Sequence, residues 1–331
     1  IQLVKAEPGI IIVPDNYKTI QEAINHANPG DTVYVREGTY HEHYIIVDSS
    51  KHHLRLIGQN RDKTIIDGDY VPGGTIIVIC ANDTIFERFT VRNCGSGWLT
   101  AGIKVESSNN CIIRGNNVFE GYGYDAYYGI CLSFSSESSV YDNNITGWWT
   151  WSCIEIFEYC NDVSVYGNSA AAYGTETGSQ CRGIEIGPDC KASVYCNDFV
   201  NNYIGISITA GSSNNIFHNN FIDNEGQVSL YEAGSNTWDD GYPSGGNYWS
   251  DHVCTGNPSD GSQPYIIDAN NIDHYPFQDP YGWLKPVGGV VVPVDKFGLL
   301  APYIDLASTI TVATVATVIY VKRVKHRKEK Q

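Results

Sequence analysis

Five central segments of the chain can be laid under one another: "GIKVESSNNCIIRGNNVFEG", "GICLSFSSESSVYDNNITGW", "CIEIFEYCNDVSVYGNSAAA", "GIEIGPDCKASVYCNDFVNN" and "GISITAGSSNNIFHNNFIDN". Each reads as short strand, polar turn, short strand, asparagine. The asparagines are Asn116, Asn143, Asn168, Asn197 and Asn219, spaced by 27, 25, 29 and 22 residues on subtraction. One such unit cannot bury its own apolar side. Stacked copies can, as parallel strands coiling around one continuous core, so an all-β solenoid is expected. Ile103, Ile130, Ile154, Ile184 and Ile206 should point inward on one sheet, and Ile113, Val140, Val165, Val194 and Ile216 on another. Asn at a fixed corner suits both a left-handed backbone and amide bonding from turn to turn.

Ahead of the repeats, Thr19 and Glu22 stand in capping-box spacing and Asn28-Pro29-Gly30-Asp31 reads as a stop. A short helix there would cover the open end of the coil, which solenoids need against edge-to-edge pairing.

Composition narrows the partners. A net charge of −16, with the dense basic run confined to the C-terminal end, argues against nucleic acid. Ten cysteines without a CxxC pair suit an oxidising compartment better than a zinc site. No methionine is present, which suggests a removed leader and export; the sequons at Asn82 and Asn144 fit that location as glycosylation candidates. From Leu306 to Val321 the chain is uncharged, and "KRVKHRKEK" follows, which reads as a transmembrane anchor with a cytoplasmic basic tail. The expected organisation is a cap and first turns over 1–68, repeats over 69–235, a closing module over 236–286, a linker over 287–301 and the anchor over 302–331.

Three stretches resemble a known family. "TIQEAINHANPGDTVYVREGTYHE" and the run on to Gly68 are similar to the cap of the right-handed parallel β-helix proteins of the pectin-lyase-like superfamily. The repeats resemble that superfamily's sugar-binding and hydrolase-type turns. "NTWDDGYPSGGNYWSDH" with "PYIIDANNIDHYPF" resembles the closing module of NosD-like surface proteins of archaea and bacteria. The resemblance implies a fold and an extracytoplasmic habitat. Its members include pectate lyases, polygalacturonases, non-catalytic carbohydrate binders and a periplasmic factor of copper-site maturation. Neither the Asp-Asp pair of the polygalacturonases nor the lyases' Arg in an Asp-rich calcium setting is found in this sequence.

Between the inward positions of one sheet lie Lys104, Cys131, Glu155, Glu185 and Ser207, which strand alternation turns outward. Adjacent strands stand about 4.8 Å apart, so Glu155 and Glu185 should face solvent side by side. That arrangement suits the catalytic pair of a retaining glycosidase, at roughly 5 to 5.5 Å, or a shared calcium ion. Solvated acids compensated by Arg182 or Lys104 are the plain alternative. The loops entering these strands gather Tyr124, Tyr127, Tyr128, Trp148, Trp149, Trp151 and Tyr173 along one edge. Rings beside acids predict a groove for a polysaccharide; rings folded back as a local core are the alternative. A second outward row, Tyr141, Tyr166, Tyr195 and Phe217, offers a binding strip, a self-association face or a stabilising ladder. His41 and His43 are metal candidates, and Cys160 with Cys190 and Cys153 with Cys181 are disulfide candidates between turns. The leading expectation is a surface-anchored binder of a glycan. A sheath- or filament-forming structural protein, a polysaccharide lyase or glycoside hydrolase, and a copper-site maturation factor are the alternatives.

Overall fold

The computed structural model describes residues 7–119, 127–147, 149–172, 180–210 and 213–284. Among these residues, short β-branched runs form three parallel sheets of nine, nine and eight strands. The chain visits the sheets in rotation and so winds a right-handed β-helix of about nine turns. Its central turns show the order clearly. Ile112–Arg114 lies in the first sheet, Asn117–Phe119 in the second and Tyr128–Ser133 in the third, before Ser139–Tyr141 returns to the first.

Register holds residue for residue. Ile103 pairs with Ile130, Ile130 with Ile154, Ile154 with Ile184 and Ile184 with Ile206, all fully buried. Ile113, Val140, Val165, Val194 and Ile216 form the matching row of the first sheet. Burying each such side chain contributes about 1.5–3 kcal/mol, and identical spacing from turn to turn keeps the core continuous.

The corner between the first two sheets is held by buried asparagines. Each side-chain amide donates to the Oδ1 of the asparagine one turn on: Asn116 to Asn143, Asn143 to Asn168 and Asn168 to Asn197 at 3.0 Å, Asn197 to Asn219 at 2.9 Å, and Asn219 to Asn247 at 3.0 Å. The same oxygens accept backbone N–H groups, so the polar atoms inside the corner are satisfied. Where a strand enters the third sheet the turns pack too closely for a side chain. A Cβ on Gly129 would fall 2.5 Å from Cys153 O, and one on Gly183 2.6 Å from Gly205 O.

Both ends of the coil are closed. At the first, the helix Ile20–His26 begins at Thr19, whose Oγ1 accepts the Glu22 N–H at 3.1 Å, and buries Ile20, Ala23 and Ile24. Glu42 reaches up from the coil to accept the free N–H groups of Ile20 and Gln21. At the other end, Phe199, Phe221, Trp249 and Tyr265 stack in sequence with centroids 5.3, 4.4 and 4.1 Å apart. Asp273, fully buried, accepts from the Asn247 N–H at 2.7 Å and from the Trp249 indole at 2.9 Å.

The anchor and the linker before it lie outside the described residues; among the described residues no helix is long and apolar enough to cross a membrane. In this structure neither candidate pair is joined by a disulfide. The Cys160 and Cys190 thiols instead donate to the carbonyls of Phe157 and Pro188 at 3.4 Å. Cys153 Sγ lies 3.7 Å from Cys181 Sγ, well beyond the about 2.05 Å of a covalent bridge.

Candidate functional site

The outward row of the third sheet is in the expected register: Lys104 beside Cys131, Cys131 beside Glu155, Glu155 beside Glu185 and Glu185 beside Ser207. It is not solvated as alternation alone predicts. Glu155 is 2 % exposed and Glu185 8 %, because the segments entering these strands fold over them. Cys131 packs outside the main core with Ala101, Tyr128, Leu99 and Tyr127.

Each acid has its own surroundings. Ser152 Oγ donates to Glu155 Oε2 at 2.8 Å. Arg182 Nε stands 3.0 Å from Glu185 Oε2, near enough to pair charges, although its N–H does not point at the oxygen and Oε2 has no hydrogen-bond donor. Thr209 Oγ1 donates to Glu185 Oε1 at a long 3.5 Å. Burial, followed by the charge of Glu185, pushes the Glu155 carboxyl well above the usual carboxylate range. Burial also raises Glu185, with the Arg182 guanidinium as the main offset. The two acids are therefore pushed in the same direction, Glu155 the more strongly, and the offsetting cation stands beside Glu185.

Above the acids opens a cavity of about 220 Å³. Trp98, Tyr127, Trp151 and Phe157 wall it, with Glu155, Glu185 and Thr209 among its lining. Trp98 is 77 % exposed at its mouth. Tyr127 contacts Trp98 with centroids 5.3 Å apart and lies near-parallel to Trp151 at 6.5 Å. Apolar rings around a few converging polar groups are the usual make-up of a small-molecule site.

The structure thus brings Tyr127, Tyr128 and Trp151 to Glu155 and Glu185. It removes Trp149, which is fully buried in the coil's core and is no part of the wall. Trp148, Tyr124 and Tyr173 lie outside the described residues. Trp98, Ser152, Phe157 and Thr209 join the site without having been singled out. Trp98 had a signal, since "GSGWLT" occupies the same loop one turn ahead of the first aligned copy.

The other candidates stand apart. His41 Nδ1 is 2.8 Å from Asp69 Oδ1, and with Asp67 these side chains form a group close enough to share an ion. Asp67 is already occupied by Arg92 Nε at 2.7 Å and Asn93 Nδ2 at 2.8 Å. His43 does not join them; it lies against Tyr44 instead, because the strand ends at His41 and alternation stops there. Tyr141, Tyr166, Tyr195 and Phe217 stack at 4.6, 5.0 and 5.6 Å, within 7° of parallel. Their faces are spent on one another, which favours the stabilising ladder. Asn82 is exposed at a corner, while Asn144 is half-buried in a strand between Asn117 and Ser169.

Comparison with known proteins adds the following. The family described as "Periplasmic copper-binding protein (NosD)" matches residues 24–254. The chain is similar to a probable pectinesterase/pectinesterase inhibitor of Arabidopsis thaliana, 30 % identical over 211 residues, covering 54 % of this chain and 32 % of that protein. A second Arabidopsis thaliana protein, a putative pectinesterase/pectinesterase inhibitor, is 28 % identical over 152 residues, covering 43 % and 21 %. The chain thus spans about a third or less of the length of these curated relatives. Among solved structures, the pectin methylesterase PemA of Erwinia chrysanthemi matches with a TM-score of 0.37 and 12 % identity, over 64 % of this chain and 82 % of that one.

Proposed function

The chain belongs to the NosD family of periplasmic copper-binding proteins, and with that as premise we propose that it is an extracytoplasmic β-helix protein binding polysaccharide in the groove over Glu155 and Glu185. The observation that carries this reading is the cavity itself. Aromatic walls meet the apolar face of a pyranose, and the acids, with Thr209, meet its hydroxyls. The pectinesterase relatives are consistent with a carbohydrate ligand.

Among the described residues, the group of side chains close enough to share an ion, His41, Asp67 and Asp69, does not suit copper. The chain has no methionine, so no thioether is available. His41 is the sole imidazole of the ion-sized group, and the buried member of that group, Asp67, already balances Arg92. Cys153 is fully buried, and burial holds its thiol protonated.

Binding is tested by titrating the protein with a panel of oligosaccharides and following tryptophan fluorescence. Quenching by a glycan, abolished in a Trp98→Ala, Trp151→Ala variant, is the expected result; unchanged affinity in that variant would exclude the groove.

A second reading rests on the different surroundings of the two acids, Glu155 bonded by Ser152 and Glu185 set beside Arg182. Glu155 would protonate a leaving oxygen while Glu185 acts as the carboxylate partner, the division of labour of a glycoside hydrolase. Release of reducing ends that stops in Glu155→Gln, with binding retained, would select it over binding alone.

A further inference from the structure

Building on the sugar-binding reading of the groove, we propose that the unit it selects carries a free amino group: a hexosamine, in preference to a neutral sugar or a uronic acid.

Charge around the cavity is weighted toward acid. Three carboxyls face this part of the third sheet: Glu106, Glu155 and Glu185. The cations there are Lys104 and Arg182, each beside a carboxyl, although Arg182 Nε and Nη1 make no hydrogen bond. Lys104 Nζ bonds Glu106 Oε1 at 2.8 Å. Arg182 stands 3.0 Å from Glu185 Oε2 and lays its guanidinium 4.3 Å from the centre of the Trp151 ring. No Lys, Arg or His lines the cavity.

The unmet need is specific. Glu185 is 8 % exposed, and its Oε2 receives no hydrogen bond. A buried carboxylate oxygen without a donor is costly, so a ligand that brings one gains more than the contact alone. A hydroxyl could donate to it. An ammonium donates and also supplies positive charge, and the walls include Trp98, Tyr127 and Trp151, aromatic side chains of the kind that attract a cation. Arg182 on Trp151 already displays that attraction within the protein.

The same features oppose an acidic sugar. A uronate would place a further carboxylate beside Glu155 and Glu185 in a cavity whose lining holds no Lys, Arg or His. The net charge of −16 repels a polyanion before it arrives.

Glucosamine oligomers, their fully N-acetylated forms and galacturonate oligomers of equal length provide the test, titrated into the full chain at one pH and salt concentration. The acetylated form keeps every ring and loses the charge. The amine form should bind at least about tenfold more tightly than either competitor. That preference should shrink to about threefold or less in Glu185→Gln. Trp98→Ala, a change at an exposed position that leaves folding intact, should weaken binding of the amine form. Equal or tighter binding of the acetylated or galacturonate oligomers overturns the amino-sugar inference and leaves the sugar groove standing. A preference that survives in both variants means that the acidic surface, not the groove, is bound, and also overturns it. Failure of all three oligomers to bind overturns the groove reading and this inference together.

Discussion

Arg182 lies with its guanidinium 4.3 Å from the centre of the Trp151 ring and its Nε 3.0 Å from Glu185, so one side chain fixes both a wall and the floor of the cavity. Truncating it should strand a buried carboxylate. Arg182→Ala is expected to lose about 3 kcal/mol in urea denaturation, and the double variant Arg182→Ala, Glu185→Gln to recover at least half of that. Strict additivity of the two single changes would show that the pair is not coupled.

The corner asparagines should be individually expensive to lose. Asn168→Ala deprives the Asn143 N–H and side-chain amide of their acceptor and Val140 O of a donor at 2.9 Å. A loss of about 3 kcal/mol is expected from the unmet groups. A shift of the denaturation midpoint worth under about 1 kcal/mol would mean that water enters the corner and replaces the ladder.

Asp273 gives a pH dependence. Burial raises its carboxyl from 3.8 to about 7, although the Asn247 N–H and the Trp249 indole pull the other way. Its folded value exceeds its unfolded one, so its contribution to stability is full below about 3.8 and is lost as the pH rises through about 7. Denaturation midpoints measured from pH 4 to pH 8 should therefore fall across that window in the native protein and be flatter in Asp273→Asn. Parallel profiles would assign the dependence to other groups.

The Cys153 and Cys181 thiols, 3.7 Å apart on neighbouring turns, are placed to be joined if an oxidant meets them before burial is complete. Refolding in a glutathione redox buffer, with oxidised glutathione as the electron acceptor, should give a Cys153–Cys181 crosslink visible in non-reducing peptide maps. By closing a loop of 28 residues the bridge would add about 3 kcal/mol. Absence of the linked peptide after oxidative refolding would exclude it.

The coil was readable because its apolar row repeats. Ile103, Ile130, Ile154, Ile184 and Ile206 follow from strand alternation and land in one register. The site was less so, for two physical reasons. Alternation ends where a strand ends: Trp149 and Trp151 are two residues apart, yet Trp149 is fully buried and Trp151 is 38 % exposed. Strand pairing is also interrupted at Cys153 and Gly183, where the chain enters the sheet. Ser152 can then bond Glu155, and Arg182 can meet Glu185, across a spacing of three that a regular strand would place on opposite faces. No periodic rule foretells those pairs, or the burial of the two acids beneath rings contributed by three successive turns.

The asparagine ladder has a direction. Every amide hands a hydrogen to the next turn, and such a relay continues only while its last member has another N–H to pass on. Asn247 hands on to Asp273, which accepts and has no amide to give. A second corner behaves alike: Asn214 donates to Asn236, Asn236 to Asn271 and Asn271 to Asp268. Two of the coil's edges thus finish on carboxylates, which act as stop signals. A second copy arriving at this end would find no side-chain amide with which to continue either ladder.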